Sequence, residues 1–347
     1  MRWIWVILAL GSAVAGAAAV EEATARTGNA EGRFVSLDRA QALSPHDANL
    51  LKAWLDSATA LASAAADDIS NGRYKDAKRR LLLVERPLSV SPSWHNLLGY
   101  AEFKLGNPEP ALAHLQKALQ MEPDNEDYVL DLGEFLAYYR AHEQAFKIFE
   151  VAAKRMSQSP RVQFGLAVAL VLQNRRDEAE SVLNALISAH PDFEPAYRVL
   201  GECYEDTGRM EDMVATGRKL QSVNGRNSYG WYLEGRGLLG ESRAGDSAVA
   251  PAIAALQHAI ELDPNFARAH FHLARAYEQM GDSAQAESEL KTTIRIEPQH
   301  PRAHYVLGML YQQTGRKELA KTELALHRQL KEQDRQGEYR RLLIVSR

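Results

Sequence analysis

The sequence predicts an all-α solenoid of about eight stacked helical hairpins, and three observations predict it. Small residues recur at a fixed step, a second set of mostly small residues lies twelve places further into each step (seventeen in the sixth, which carries five extra residues), and proline or glycine marks the breaks. Stepping 34 residues from Gly99 reaches Gly133, Ala167, Gly201 and Gly235. A step of 39 then reaches Ala274, another 34 reaches Gly308, and one step back from Gly99 gives Ala65. The second set reads Ala77, Ala111, Ala145, Ala179, Met213, Ala252, Ala286 and Ala320. Large residues keep the same beat, with Leu98, Leu132, Leu166, Leu200, Leu273 and Leu307 each one place before a small one. Leu81, Leu115, Phe149, Leu183, Leu256, Leu290 and Leu324 lie four places after the second set.

Each repeat therefore carries two apolar-periodic segments of helix length, with no strand-type alternation. Small residues let helices approach, and Leu or Phe fills the space between them. One hairpin cannot bury both of its faces, so hairpins must stack. Breaks between repeats read Glu122-Pro123-Asp124, His190-Pro191-Asp192, Asp263-Pro264-Asn265 and Glu297-Pro298-Gln299. Within most repeats the two halves are divided by Gly72, Gly106, Gly208, Gly281 or Gly315, where a helix C-cap favours a left-handed residue.

These spacings resemble the tetratricopeptide repeat, as in Tyr197…Leu200-Gly201…Tyr204…Gly208, Leu273-Ala274…Tyr277…Gly281…Ala286…Leu290…Pro298 and Leu307-Gly308…Tyr311…Gly315…Ala320…Leu324. The resemblance covers about four-fifths of the chain and implies a right-handed superhelix built from units 58–91, 92–125, 126–159, 160–193, 194–227, 228–266, 267–300 and 301–332. Departures cluster in the fifth and sixth units. Met213 and Gly217 replace Ala and a large residue, Glu234 replaces Leu, and five extra residues enlarge a loop over 240–246. The packing is expected to be weakest between residues 213 and 251, with a hinge or a change of pitch there. A carboxylate at Glu234 either carries a raised pKa in a core slot or is exposed by local rotation of its helix, the second being the expected outcome.

The flanks are separate objects. Arg2, the apolar run Trp3 to Leu10, the small residues up to Ala19 and the charge at Glu21-Glu22 form the layout of a cleaved secretory signal peptide over 1–19. An uncleaved N-terminal anchor is the rival, and the lack of a nearby cysteine excludes a lipid-anchored one. A flexible leader over 20–43 follows, then a capping helix over 44–57 opened by Ser44-Pro45-x-Asp47, which runs into the first unit. Residues 333–347 are read as the end of the last helix and a tail in which Arg340 to Ile344 frays. An exported chain, periplasmic or secreted, is the expectation. No later stretch is apolar enough to span a membrane.

The net charge of −4 gives no pull on nucleic acid, and one cysteine, Cys203, forms neither an intramolecular disulfide nor a Cys-cluster metal site. Nucleophile-elbow, phosphate-loop, dinucleotide and zincin motifs are absent from the sequence, so no enzyme and no cofactor are expected. His270, His272, His300 and His304 fall in neighbouring hairpins and could converge on zinc, but packing histidines are the expected reading, and no metal is assigned. Cys203 reads as a small buried hydrophobe.

The resemblance implies that the second, fifth, ninth, twelfth and thirteenth residues of each unit face a concave groove. Tyr100, Phe103, Tyr138, Phe164 and Val171 make its N-terminal half apolar, and Glu202, Glu205 and Asp206 form an acidic middle. Tyr229, Tyr232, Arg236, Arg268, Phe271, Arg275, Arg302 and Tyr305 mix aromatics with arginine towards the C-terminus. That mixture carries binding energy at interfaces, and arginine grips carboxylates in a fork. The expected function is a non-catalytic scaffold or adaptor for a protein or peptide partner with an acidic segment. The alternative is a regulatory or recruiting subunit of an envelope enzyme. Arginines on a solvated face with internal ion pairs are the competing reading. Asn96 with Tyr100 does not reproduce the Lys and Asn clamp of chaperone-binding family members, so chaperone binding is not expected.

Overall fold

A computed structural model describes residues 3–4, 35–36, 45–84, 91–241 and 249–333. Most of the expected signal segment and leader, the loop over 242–248 and the tail from 334 lie outside the described residues. Near the start, Trp3–Ile4 (β1) pairs antiparallel with Val35–Ser36 (β2). Everything else regular is helical. In chain order the helices are α1 (Pro45–Ser70), α2 (Tyr74–Leu83), α3 (Pro92–Lys104), α4 (Pro108–Met121), α5 (Glu126–Tyr138), α6 (His142–Arg155), α7 (Pro160–Leu172) and α8 (Arg176–Ala189). They continue as α9 (Glu194–Thr207), α10 (Met210–Val223), α11 (Ser228–Glu241), α12 (Val249–Leu262), α13 (Ala267–Met280), α14 (Ser283–Ile296), α15 (Pro301–Gln313) and α16 (Lys317–Gln333). No described helix is long and apolar enough to cross a membrane.

The chain divides into two compact units, one of residues 1–141 with 154–156, the other of 142–153 with 157–347. In the first, α1 is a single 26-residue helix running straight across the boundary drawn at residue 57. Trp94 anchors α3 there, fully buried, with its indole N–H donating to Leu81 O at 2.9 Å. In the second, a continuous core runs from Phe164 through Leu183, Tyr197, Leu200, Met213 and Leu233 to Leu256 and Leu273. Phe271, Ala286, Leu290, Leu307 and Ala320 build a further cluster.

The periodic small residues do the packing the sequence assigned to them. A Cβ on Gly99 would lie 2.9 Å from the Leu115 side chain and 3.1 Å from Ala111 O. Gly235 faces Leu256 and Ala252 in the same manner, and Gly308 faces Leu324. The spacing of twelve and sixteen residues, stretched to seventeen and twenty-one at Gly235 by the five extra residues of its hairpin, is thus the contact between the two helices of one hairpin. Gly208 and Gly281 close α9 and α13 in the left-handed conformation, with Arg209 N–H donating back to Tyr204 O and Asp282 N–H to Tyr277 O. Where glycine is missing from this slot, Arg140 and Asn174 adopt positive φ instead.

The expectation of weakest packing over 213–251 is overturned. Helices α10 and α11 approach at backbone level: a Cβ on Gly217 would lie 2.7 Å from both Gly230 O and Glu234 N. Gly237 likewise lies against Met210 O and Val214 N. Glycine here removes the side chains that hold other hairpins apart, so main-chain atoms pack directly. Met213, in the slot of the missing alanine, is fully buried. The expected exposure of Glu234 is overturned as well. Its side chain is 13% exposed, held by Arg218 Nε at 2.8 Å and Gln221 Nε2 at 2.8 Å, while the neighbouring Leu233 fills the apolar space.

Candidate functional site

The aromatic residues predicted to line a groove are mostly spent on packing. In the first unit Tyr100 and Phe103 are buried, and Phe103 meets Tyr100, Phe135, Tyr138 and Tyr139 at ring separations of 6.0, 5.4, 5.2 and 6.2 Å. Lys104 lies over both Tyr100 (4.8 Å) and Phe103 (4.5 Å) and pairs with Glu134 at 2.6 Å. Tyr138 is half-buried, and Tyr139, which the sequence did not single out, is exposed. In the second unit Phe164 belongs to the core against Phe193, and Tyr229 and Tyr232 pack on each other and on Phe266. Burial pushes the Tyr232 phenol up to about 12. Tyr305 alone among these aromatics is exposed, and it touches His327 at 5.2 Å.

The arginines behave differently. Arg236 on α11, Phe271, His272 and Arg275 on α13, and Arg302 on α15 converge on a cavity of about 240 Å³, completed by Leu239, Gly240 and Gln279. Arg236 is 14% exposed, and its Nη2 donates to Glu205 Oε1 of α9 at 3.1 Å. Its Nε is buried without a hydrogen-bond partner. Arg275 is 46% exposed and pairs with Glu278 one turn along α13 at 2.7 Å. Arg302 is 63% exposed, stands 4.0 Å from Glu205 Oε1 and lies over the Phe271 ring at 5.4 Å. Arg268 is not part of the cavity wall; it donates to Glu202 Oε1 at 3.0 Å. The internal ion pairs anticipated as the competing reading are therefore present at Arg236, Arg268 and Arg275.

His272 is buried beside Phe271 and Tyr232 and makes no hydrogen bond among the described residues. Burial first, then the charges of Arg236 and Arg302, hold its imidazole well below the ordinary histidine range, so it is neutral. His300 accepts the Ala303 N–H through Nδ1 at 3.0 Å, capping α15, and lies 4.9 Å from the Phe271 ring. Burial lowers it to about 4. Burial also raises the Glu278 carboxyl against the pull of Arg275.

Histidines 270 and 304 do not join this cavity. The ring nitrogens of His270 face Glu289 Oε2 (2.6 Å) and Pro264 O (3.2 Å), and those of His304 face Glu323 Oε2 (2.6 Å) and Pro298 O (3.0 Å). Each latches the two helices of its own hairpin. The four candidate zinc ligands thus hold separate positions, and no group of three or more metal-ligating side chains occurs among the described residues. Cys203 is buried, and desolvation raises its thiol to about 12, so it is an unreactive packing residue.

His272 was read in the sequence only as a packing histidine or zinc candidate, and Leu239 and Gln279 were not singled out, although they occupy the twelfth and thirteenth positions of their units. Glu205 was read as part of a separate acidic middle, yet the stacking sets it against the arginines of later units.

Comparison with known proteins agrees with this architecture. Tetratricopeptide repeat profiles match residues 92–125, 139–203, 245–304 and 301–325, together more than half of the sequence. The chain belongs to the tetratricopeptide repeat family. A search of curated proteins found no match. Among solved structures, a tetratricopeptide repeat protein from Parabacteroides merdae ATCC 43184 is 15% identical, with a TM-score of 0.56 over 74% of this chain and 99% of that one. The Cut9–Hcn1 hetero-tetramer of the APC/C is 14% identical, with a TM-score of 0.53 over 79% of this chain and 52% of that one. The human IFIT1 dimer with m7Gppp-AAAA is 16% identical, with a TM-score of 0.51 over 94% of this chain and 78% of that one. These likenesses are of fold. A shared fold does not by itself select a ligand class.

Proposed function

We propose that this chain is a non-catalytic, exported scaffold that holds a protein or peptide partner by seating a carboxylate of that partner in the cavity of Arg236, Arg275 and Arg302. The observation that carries this reading is the convergence of three guanidinium groups on one cavity where, among the described residues, two carboxylates, Glu205 and Glu278, pair with them. Arg302, the most exposed of the three, already has Phe271 beneath it, which presents its fork towards a planar anion. Phe271 and Leu239 supply apolar walls for the side chain that bears the anion. The neutral His272 adds a hydrogen-bonding group without charge. Export rests on the positive start, apolar run and small-residue end of residues 1–19.

The test is fluorescence anisotropy with purified full chain and two labelled peptides. One is an amidated peptide of alternating Glu and Leu, and the other is an Ala–Leu peptide whose only carboxylate is its C-terminus. Joint substitution of Arg275→Ala and Arg302→Ala is expected to weaken the peptide that binds by at least about tenfold, with the helical circular dichroism unchanged. Equal affinity in the double variant removes the cavity from consideration.

A further inference from the structure

Among the carboxylates facing the groove in the second unit, Glu205 differs from its neighbours in what it holds. Glu278 pairs with Arg275 on its own helix, and Glu202 pairs with Arg268, which is not part of the cavity wall. Glu205, on α9, sends one oxygen to two arginines of the cavity wall: Arg236 at 3.1 Å from α11 and Arg302 at 4.0 Å from α15. It has no other ion-pair partner among the described residues. The two distances are unequal, the longer being at the limit of an ion pair, and Arg236 keeps a buried Nε with no partner among the described residues. A carboxylate is thus already held by two of the three groups that a partner's carboxylate would use, and held incompletely.

We infer that Glu205 is a resident competitor for the carboxylate seat: a partner's carboxylate has to take Arg236 and Arg302 from it. The inference rests on the proposed carboxylate reading of the cavity and adds to it the residue that sets its affinity and selectivity. Among the described residues three guanidinium groups face two carboxylates, so one positive charge is left for a ligand, which suits a single carboxylate. Without the Glu205 charge two positive charges are left. The site should then bind any acidic group more tightly and discriminate less between one carboxylate and two. The rival account makes Glu205 a staple that fixes α11 and α15 in the geometry the partner needs. The two accounts predict opposite signs.

The experiment uses full chain carrying Glu205→Gln, which keeps the shape and removes the charge, with the two peptides named above. The competitor account expects affinity about tenfold tighter than in the unsubstituted chain. It also expects the Glu–Leu peptide, with several carboxylates, to gain more than the peptide with one terminal carboxylate. Weaker or equal binding in Glu205→Gln, while Arg275→Ala with Arg302→Ala still abolishes capture, overturns the competitor and leaves the cavity standing. No binding of either peptide to either protein at millimolar concentration overturns the carboxylate reading itself. Glu205→Ala serves as a second variant, and the helical circular dichroism of both is expected to match the parent.

Discussion

The aromatic cluster of the first unit and the arginine cluster of the second share the ninth repeat position, held by Tyr100 in one and by Arg236 and Arg275 in the other, yet the first is filled with rings and the second borders a cavity. Tyr100, Phe103 and Tyr138 fill the space between helices with rings, and Lys104 lies over the outside. Arg236, Arg275 and Arg302 cannot do the same, because burying an unpaired guanidinium costs too much. They stop at the surface, recruit Glu205 and Glu278, and leave about 240 Å³ between them. The difference teaches that in a stack of hairpins a groove-facing aromatic is first a packing residue. Charge keeps a groove open.

The largest effect separating the two regions is expected at Phe103. It is buried against four other rings, so Phe103→Ala should cost about 3–5 kcal/mol through the cavity it leaves. Arg302→Ala, at an exposed position, should stay within about 0.5 kcal/mol. Urea unfolding followed by helical circular dichroism measures both, and hydrogen exchange over residues 92–138 localises the first. A cost below about 1 kcal/mol for Phe103→Ala would mean that the rings are a binding surface rather than a core.

Much of the hairpin architecture was legible because a helix contact is a fixed sequence offset. Gly99 touches Ala111 and Leu115, the longer offset recurs from Gly308 to Leu324, and at Gly235 the equivalent contacts to Ala252 and Leu256 are each five positions longer because its hairpin carries five extra residues. The glycine breaks were legible for the same local reason, since only φ has to be positive there. Arg140 and Asn174 were not, because nothing in an arginine or an isolated asparagine announces a left-handed backbone. Gly217 was misread, because a missing side chain suggested loose packing, whereas with Gly230 opposite it the two helices approach at backbone level. The arginines of the site were legible from their repeat positions. Their partners were not, since Glu205 reaches Arg302 across 97 positions of sequence and three hairpins.

The second effect is acid sensitivity confined to the arginine cluster. His300 is lowered to about 4 by burial, and its Nδ1 accepts the Ala303 N–H, which a protonated ring cannot do. His272 is shifted in the same direction, with Arg236, Arg302, Arg268 and His300 around it. A histidine whose folded pKa is depressed binds its proton in the unfolded chain first. Stability therefore falls as pH drops from about 6.5 towards about 4 and is unaffected by these rings above that window. His300 alone contributes up to about 3 kcal/mol across it. Replacing His300 with Asn, which can still cap a helix, should flatten the slope of urea stability between pH 6.5 and 4. The same slope after His300→Asn would assign the sensitivity elsewhere.

The smallest effect tests what holds Lys104 over the rings of the first unit. Its ammonium has two attractions, the Glu134 carboxylate at 2.6 Å and the faces of Tyr100 and Phe103 within 4.8 Å. An ion pair with some solvent access, 25% at Lys104 and 16% at Glu134, still weakens with salt, whereas a cation over two aromatic faces is far less sensitive to ionic strength. Lys104→Met keeps the stem and removes the charge, and should cost about 1 kcal/mol. Glu134→Gln should cost less than half of that if the rings dominate, and the Lys104→Met cost should persist at molar salt. Equal costs that both vanish with salt would make Lys104 an ordinary surface pair, and the first unit's face would then be closed by its rings alone. A cost that survives salt would show that this face is capped by a cation it cannot release, whereas the second unit's arginines trade one carboxylate for another.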